Sequence, residues 1–189
     1  MVTDTKENTK ITNEKSSNEI KIDDSDFLYS QISADAENQY VTFTVGREEY
    51  GVKILSVQEI VSIAEITYLP NTPPFIRGVI NLRGNVIALV DLRVKFGLQH
   101  TEIGKNTVVI VVNIETKKSR QKTMGIIVDK VSDVLTFSDN SIQEAPSFSA
   151  DIDSQFIDKI GKLANRMVIL LDITKLLSDE EMQQMDKFA

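Results

Sequence analysis

The sequence feature that most constrains the fold is an internal duplication. The stretch from Gly78 to Leu92 can be laid over Lys159 to Ile173 so that apolar positions match apolar positions and Asp91 falls on Asp172. Both stretches carry a turn signal at the same point between two apolar runs. The repeated unit, roughly 75–80 residues, is longer than the repeats of solenoid proteins. The duplication therefore predicts two similar small barrels packed together rather than an open array.

Short apolar runs separated by turn signals predict an all-β domain. Val41, Phe43 and Val45 alternate with threonines, as in a half-buried strand. Arg83-Gly84 lies between two apolar runs and predicts a hairpin turn. Structure is expected to begin near Gln39, and the predicted strands are Val41–Val45, Tyr50–Lys53, Ile63–Tyr68, Phe75–Leu82, Asn85–Asp91, Thr107–Ile114, Thr123–Val128, Val131–Phe137, Phe156–Leu163 and Met167–Asp172. Ser138–Ser154 is predicted as a polar loop.

Four short helical segments are predicted. Ile54, Val57 and Ile60 recur at three-residue spacing, which indicates one short helical turn. Asp91 is expected to cap a helix of one or two turns, and Asp172 to act in the same way in the second repeat. Near the C-terminus, Ser178 and Glu181 form a capping box, followed by an apolar edge of Met182, Met185 and Phe188.

Residues 1–38 are predicted to form a disordered acidic tail. They hold nine acidic residues and four lysines, which account for −5 of the formal net charge of −7. Such a composition buries too little apolar surface to offset the entropy lost on ordering. Residues 39–189 are expected to form one domain. Its two barrel subdomains cover approximately 39–105 and 106–177, with strands open to exchange between them, and a C-terminal helix follows.

Composition and motifs argue against an enzyme. The chain has no cysteine, which excludes disulfides and thiolate metal ligands, and its only histidine, His100, lies in a polar stretch and is expected to be a plain surface residue. No phosphate-binding glycine motif and no metal-ligand spacing are present, so no cofactor and no metal are predicted. Asp129 and Asp133 are interpreted as surface charges. A nearly neutral body without a basic stripe argues against nucleic acid, and the longest apolar runs are too short to span a bilayer.

One string of residues resembles a known family signature. Phe75–Gly84 and then Val90–Arg93 closely resemble the signature of the CheW family of chemotaxis coupling proteins. Glu49–Val52, Gly125–Val131 and Met167–Asp172 agree as well, so the resemblance runs from about Gln39 to the C-terminus. Ala88 stands where the family usually has proline.

The resemblance implies a fold and a function. The fold is two five-stranded SH3-like barrels around a shared apolar core. The function is a non-enzymatic adaptor, cytoplasmic at the inner face of the membrane. It binds the cytoplasmic tip of a chemoreceptor (a methyl-accepting chemotaxis protein) and the regulatory domain of the histidine kinase CheA. No direct membrane insertion is implied.

The resemblance also places the receptor groove between the barrels, beside the turn that begins at Ile54. The implied receptor-binding residues are Val41, Ile54, Val57, Glu59, Ile60, Asn81, Arg83 and Val128. Spacing alone would favour core packing for Ile54, Val57 and Ile60, and Asn81 is equally suited to satisfying backbone groups. The kinase-binding residues stay unknown.

Two other interpretations remain. The chain could be the CheW-like part of a coupling protein that also has a receiver domain; a receiver would add roughly 120 residues of alternating strands and helices, and we expect none. The chain could also be a small hydrolase that uses Asp91 or Asp172, which would need a deep polar pocket beside one of them. Repetition of the aspartate at equivalent points favours helix capping instead.

Overall fold

The computed structural model describes residues 36–63, 65–100, 102–115, 121–145 and 155–185. Most of the predicted tail, residues 1–35, lies outside the described residues, as does Phe188, so the predictions for them stay predictions. Among the helices that are described, none is long and apolar enough to cross a membrane.

The described residues form eleven strands, which confirms the all-β class. Six lie in the first part of the chain: β1 (Gln39–Val45), β2 (Glu48–Lys53), β3 (Val57–Ser62), β4 (Ile76–Leu82), β5 (Asn85–Asp91) and β6 (Val108–Glu115). Five follow: β7 (Gln121–Val128), β8 (Lys130–Thr136), β9 (Ile142–Glu144), β10 (Ile157–Leu163) and β11 (Arg166–Leu171).

The strands form two sheets, and each sheet combines strands of both repeats. Sheet A has the order β8-β1-β2-β11-β10-β9, and sheet B has the order β3-β6-β7-β5-β4. We call the units that they build barrel A and barrel B. The chain leaves sheet A after β2 and returns to it after β7. A boundary near residues 105 and 106 thus separates the two repeats of the sequence but not the two sheets.

The duplication is visible in the strand registers. Leu89 of β5 pairs in parallel with Gly125, and Leu170 of β11 pairs in parallel with Gly51. The hairpins β4–β5 and β10–β11 each contain one register shift, at matching positions. Their turns match too, because Arg83 and Ala164 both adopt positive φ, 51° and 47°. The two barrels are therefore built on one plan.

The barrels share one apolar core. A single cluster of buried side chains draws members from both sheets, including Phe43, Val52, Val90, Ile110 and Ile126. A chain of aromatic rings runs through it, with centroid distances of 6.1 Å for Phe43–Tyr50, 4.9 Å for Tyr50–Phe96 and 5.1 Å for Phe96–Phe156. Because removing so much apolar surface from water stabilises both barrels together, neither is expected to fold alone.

Three predicted segments were assigned wrongly. Ile54–Ser56 is one 3₁₀ turn, but Val57 and Ile60 belong to strand β3 rather than to the same helical face. In the predicted strand Ile63–Tyr68, the described residues, which leave out residue 64, make only an isolated bridge between Thr67 and Val79. Ser138–Ser154 contains a 3₁₀ turn and strand β9, and its last part, residues 146–154, lies outside the described residues.

Two helices follow the predicted caps. Helix α1 (Leu92–Lys95) begins after Asp91, whose carboxylate accepts hydrogen bonds from the N–H groups of Arg93 and Val94 at 3.0 and 3.3 Å. Asp172 caps a 3₁₀ turn, Ile173–Lys175, through the N–H of Thr174. In helix α2 (Asp179–Met185) the capping box is present in both directions between Ser178 and Glu181.

Candidate partner-binding groove

A groove of about 320 Å³ opens on barrel B beside helix α2. Strand β3, the β4–β5 hairpin, strands β6 and β7, and helix α2 each contribute to its walls. The lining residues are Gln58, Glu59, Leu82, Arg83, Asn85, Val86, Ile87, Ala88, Ile114, Lys122, Thr123, Met124, Met182 and Met185. We call it the α2 groove. Its floor is apolar, since Ile114, Met124 and Met185 belong to the shared core.

An ion pair stands at the edge of the α2 groove. Arg83 Nη2 donates to Glu59 Oε2 at 2.8 Å. The Glu59 side chain is 18% exposed, whereas that of Arg83 is 76% exposed. The carboxylate is thus held within the wall, and most of the guanidinium surface remains open to a partner. A guanidinium can make further hydrogen bonds while it keeps this one, because it carries five N–H donors.

The hairpin turn positions Arg83. Both central residues of the turn adopt positive φ, 51° for Arg83 and 89° for Gly84. The N–H of Gly84 donates to the side-chain oxygen of Asn81 at 2.8 Å. Asn81 therefore satisfies a backbone group, which was one of the two roles open to it, and the bond supports the turn that presents Arg83 to the groove.

Helix α2 forms the opposite wall and is held there by a bidentate ion pair. Lys95 Nζ of helix α1 lies 2.8 Å from each carboxylate oxygen of Glu181. The Lys95 side chain is only 7% exposed, and its ammonium lies 4.5 Å from the centroid of the Phe75 ring. This arrangement places Met182 and Met185 over the groove.

The predicted receptor-binding residues do not form one surface. Glu59 and Arg83 line the α2 groove, and Asn81 supports its hairpin. Ile60 is 43% exposed on β3 but is not part of the lining, and Ile54 and Val57 are partly buried against the shared core. Val41 and Val128 are 3% and 0% exposed, so these two side chains offer no contact surface.

Several groove residues were not among the predicted ones. Val86, at 52% exposure, and Met182 contribute apolar surface to the lining. The apolar edge of the C-terminal helix was recognised in the sequence, but nothing local shows which strands that helix covers. Lys122 at the far wall donates to the Met182 carbonyl at 3.4 Å, a contact that depends on tertiary packing.

Two further expectations about charged residues need correction. His100 is not a plain surface residue, since its Nδ1 lies 2.9 Å from Asp91 Oδ2. Asp129 is not a simple surface charge: its carboxylate accepts from the Gly46 N–H at 2.8 Å and from Arg93 Nη1 at 2.6 Å. These contacts fasten the end of barrel B. The Asp91 carboxylate is engaged by the helix cap and by His100. These contacts agree with the structural role predicted for Asp91.

The architecture defines a class of protein: a double-barrel β domain with an open, apolar-floored groove. The family model for the CheW-like domain matches residues 39–181. The chemotaxis protein CheW of Klebsiella aerogenes is 46% identical over 151 residues, covering 80% of this chain and 88% of that protein. A probable CheW of Rhizobium etli is 35% identical over 145 residues, covering 77% and 90%.

A solved structure agrees with these relatives. The scaffolding protein TtCheW of Thermoanaerobacter tengcongensis superimposes with a TM-score of 0.66 at 34% identity, covering 77% of this chain and 90% of that chain. The chain belongs to the CheW family. It is a non-enzymatic adaptor of chemotaxis signalling, as the resemblance implied.

Proposed function

We propose that this adaptor couples transmembrane chemoreceptors to the histidine kinase CheA, and that the α2 groove and its Arg83–Glu59 edge receive the receptor's cytoplasmic tip. The observation that carries this proposal is the placement of an exposed guanidinium at the rim of a groove with an apolar floor. The adaptor would act in the cytoplasm, at the inner face of the membrane.

The groove suits a helical partner. A helix bound in a groove buries a stripe of apolar side chains spaced three and four residues apart. Leu82, Val86 and Met182 supply apolar surface along the walls, and the methionine side chain adapts its shape to different partners. An acidic residue at the edge of such a stripe would pair with Arg83. A helical receptor tip with an acidic flank therefore fits this surface.

The second partner, the regulatory domain of CheA, would use another face. The family resemblance implies that this kinase domain is itself CheW-like, so one barrel can pack against another. The duplicated plan supplies two equivalent barrel surfaces in one chain, with exposed apolar residues at matching positions. Ile60 is 43% exposed and its counterpart Val134 is 54% exposed. Val86 is 52% exposed and its counterpart Met167 is 66% exposed.

Receptor binding is best tested with variants matched between the two barrels. Arg83→Ala removes the rim cation of barrel B. Arg166→Ala removes a less exposed cation of barrel A, 45% against 76%, which also pairs with a glutamate, Glu49, at 3.1 Å. We expect Arg83→Ala to weaken binding of a receptor-tip fragment about tenfold, equivalent to about 1.4 kcal/mol. Arg166→Ala should leave it unchanged. Equal effects of the two variants would contradict the groove assignment.

A second pair of variants asks whether the contact extends over strand β3. Ile60→Glu and Val134→Glu place a carboxylate at equivalent, exposed positions, so both proteins should stay folded. Weaker receptor binding by Ile60→Glu alone would extend the docking surface to β3. Val57→Glu is less suitable, because Val57 packs against the shared core and an unpaired charge there would destabilise the fold.

Kinase binding is measured beside receptor binding. CheA regulatory domain should bind each rim variant as it binds the parent protein, and both partners should bind at once. If the parent protein binds neither partner, the proposed function is wrong. If the partners compete, the assignment of separate faces is wrong.

A further inference from the structure

The two barrels differ at the end where their capping aspartates lie. In barrel B this end is almost filled, with a residual space of about 10 Å³ beside Asp91, Arg77 and His100. In barrel A the corresponding end holds a cavity of about 270 Å³. Its lining residues are Tyr40, Lys53, Ser56, Asp158, Leu171, Asp172, Ile173 and Thr174. We call this cavity the Asp158 pocket.

The chain itself explains the difference. After helix α1 the backbone folds back, with the Leu98 N–H donating to the Arg93 carbonyl, and carries the His100 ring to Asp91 Oδ2 at 2.9 Å. After Asp172 the chain makes one 3₁₀ turn and continues to helix α2. At Asp172 the corresponding oxygen, Oδ2, is held by Lys175 of that same turn at 2.9 Å, and the space beside Asp158 stays open.

Three side-chain acceptors of the Asp158 pocket, on Tyr40, Ser56 and Asp158, have no partner among the described residues. Tyr40 is 4% exposed, and no described residue forms a hydrogen bond with its hydroxyl. Asp158 is partly buried, and its carboxylate likewise has neither a hydrogen bond nor an ion pair within that part of the chain. Both groups line the pocket with hydrogen-bonding capacity unused by the described residues, so both can receive a ligand.

The state of Tyr40 supports an N–H donor as that ligand. Burial and the negative charge of Asp158 both raise the pKa of the Tyr40 hydroxyl. The hydroxyl therefore stays neutral around pH 7 and can accept a hydrogen bond beside the carboxylate. Asp172 is already occupied, because its Oδ2 lies 2.9 Å from Lys175 Nζ and its Oδ1 accepts from Thr174. Asp158, Tyr40 and the Ser56 hydroxyl are thus the side-chain acceptors that remain in the lining, and Asp158 is the charged one.

We propose that the Asp158 pocket binds the guanidinium group of an arginine presented by a partner polypeptide, beside Asp158 and Tyr40. A guanidinium can satisfy a carboxylate and a hydroxyl together because its donors form a planar fork. The cavity is large enough for a complete side chain rather than a single water. Leu55 next to Ser56 is 64% exposed and offers an apolar contact to the residues beside the arginine.

One positive charge lies in the lining. Lys53 is exposed, and its flexible stem lets the ammonium stay in water while a guanidinium enters. Binding of an anion at Lys53 is the competing outcome, and a direct comparison of ligands separates the two. The pocket shares no lining residue with the α2 groove, so this inference does not depend on the receptor-binding proposal.

The probe is N-acetyl-arginine methylamide, titrated into the ¹⁵N-labelled full chain and followed by amide chemical shifts. We expect saturable shifts at Tyr40, Ser56 and Thr174, with a dissociation constant of about 1 mM, the range of a single anchored side chain. The citrulline analogue has the same shape without the charge and should bind at least about tenfold more weakly, since charge-assisted hydrogen bonds are the stronger ones. The glutamate analogue should cause no saturable shift.

Two variants test the residues. Asp158→Asn should weaken arginine binding about tenfold and Tyr40→Phe about threefold, since the first removes a charge and the second one hydrogen bond. Asp133→Asn, which removes an exposed carboxylate on β8, should bind as the parent does. The proposal is overturned if arginine causes no saturable shift, if citrulline binds equally well, if glutamate binds more tightly, or if Asp158→Asn is unaffected while its spectrum remains folded.

Discussion

Asp91 and Asp172 occupy equivalent positions in the two barrels, and each carboxylate accepts a hydrogen bond at 3.0 Å from the N–H two residues further along the chain. The backbone agrees as well: their own N–H groups donate to the carbonyls of Phe75 and Phe156 at 2.8 and 2.9 Å. Their surroundings differ, because the Asp91 side chain is 5% exposed and that of Asp172 is 25% exposed. We therefore expect the Asp91 cap and the Asp172 cap to contribute unequally to stability.

The first prediction concerns these two caps. Asp91→Ala should lower the free energy of unfolding by about 2 kcal/mol and Asp172→Ala by about 1 kcal/mol, the upper and middle of the range for lost N-caps. Asp91 loses more because it is buried and also holds His100. Urea denaturation measures both variants. Asp91→Asn should retain most of the cap, and a larger loss with Asp172→Ala than with Asp91→Ala would contradict the structural assignment.

The second prediction concerns acid stability. Burial alone would raise the pKa of Asp172, but hydrogen bonds from Lys175 and Thr174 outweigh it and the pKa is lowered from 3.8. A carboxyl group with a lowered pKa stabilises the folded state above its unfolded pKa and loses that contribution as the pH falls through the folded value. The parent should thus have a higher free energy of unfolding than Asp172→Asn. This difference should be complete at pH 7 and should shrink below pH 3.8.

Unfolding free energies at pH 7 and at acid pH test this dependence. Lys175→Met removes the cation that contributes to the lowered pKa of Asp172. The pH dependence of the unfolding free energy should therefore be smaller in Lys175→Met than in the parent. An advantage of the parent over Asp172→Asn that stays constant across the acid range would show that the carboxylate gains nothing from these contacts.

The third prediction uses the two glycines of the parallel strand pairs. A methyl group at Gly125 would lie 2.6 Å from both Leu89 Cδ2 and Val109 Cγ1. At Gly51 the nearest atom, Leu170 Cδ2, would lie 3.1 Å away. Overpacking of a tight core costs about 1–3 kcal/mol, so Gly125→Ala should approach the upper value. Gly51→Ala is the matched control. Thermal unfolding should show a smaller loss of stability for Gly51→Ala than for Gly125→Ala.

The fourth prediction concerns the ion pair that holds helix α2. Glu181→Ala removes half of the capping box and leaves Lys95, 7% exposed, without its carboxylate. We expect the free energy of unfolding to fall by about 2–3 kcal/mol. This value is near the lower limit for breaking a buried ion pair, because the Glu181 side chain is 23% exposed. Amide exchange should rise in helix α2 before it rises in the strands.

The double variant Lys95→Met/Glu181→Ala is the control for this pair. It removes the unpaired cation and should regain part of the loss, since a well-packed apolar side chain replaces a buried charge. A double variant that is less stable than Glu181→Ala alone would show that Lys95 stabilises the fold mainly through the Phe75 ring.

The sequence alone determined the local features of this protein and its duplicated plan. The Arg83-Gly84 turn, the Asp91 and Asp172 caps and the Ser178–Glu181 capping box involve residues close together in the chain. Such features depend on backbone conformation and on side chains within a few positions, so composition and spacing reveal them. The family resemblance was carried by the same hairpin and its flanking strands.

The tertiary structure alone decided which strands pair and which side chains reach the surface. Strand β3 joins the sheet that contains β6, and β8 joins the sheet that contains β1, although alternation looks the same in either sheet. This pairing buried Val41 and Val128 in the shared core and placed Met182 opposite Arg83. It also brought His100 to Asp91 while leaving the Asp158 pocket open. Contacts between residues distant in the chain depend on how both barrels pack, and a local pattern carries no record of that packing.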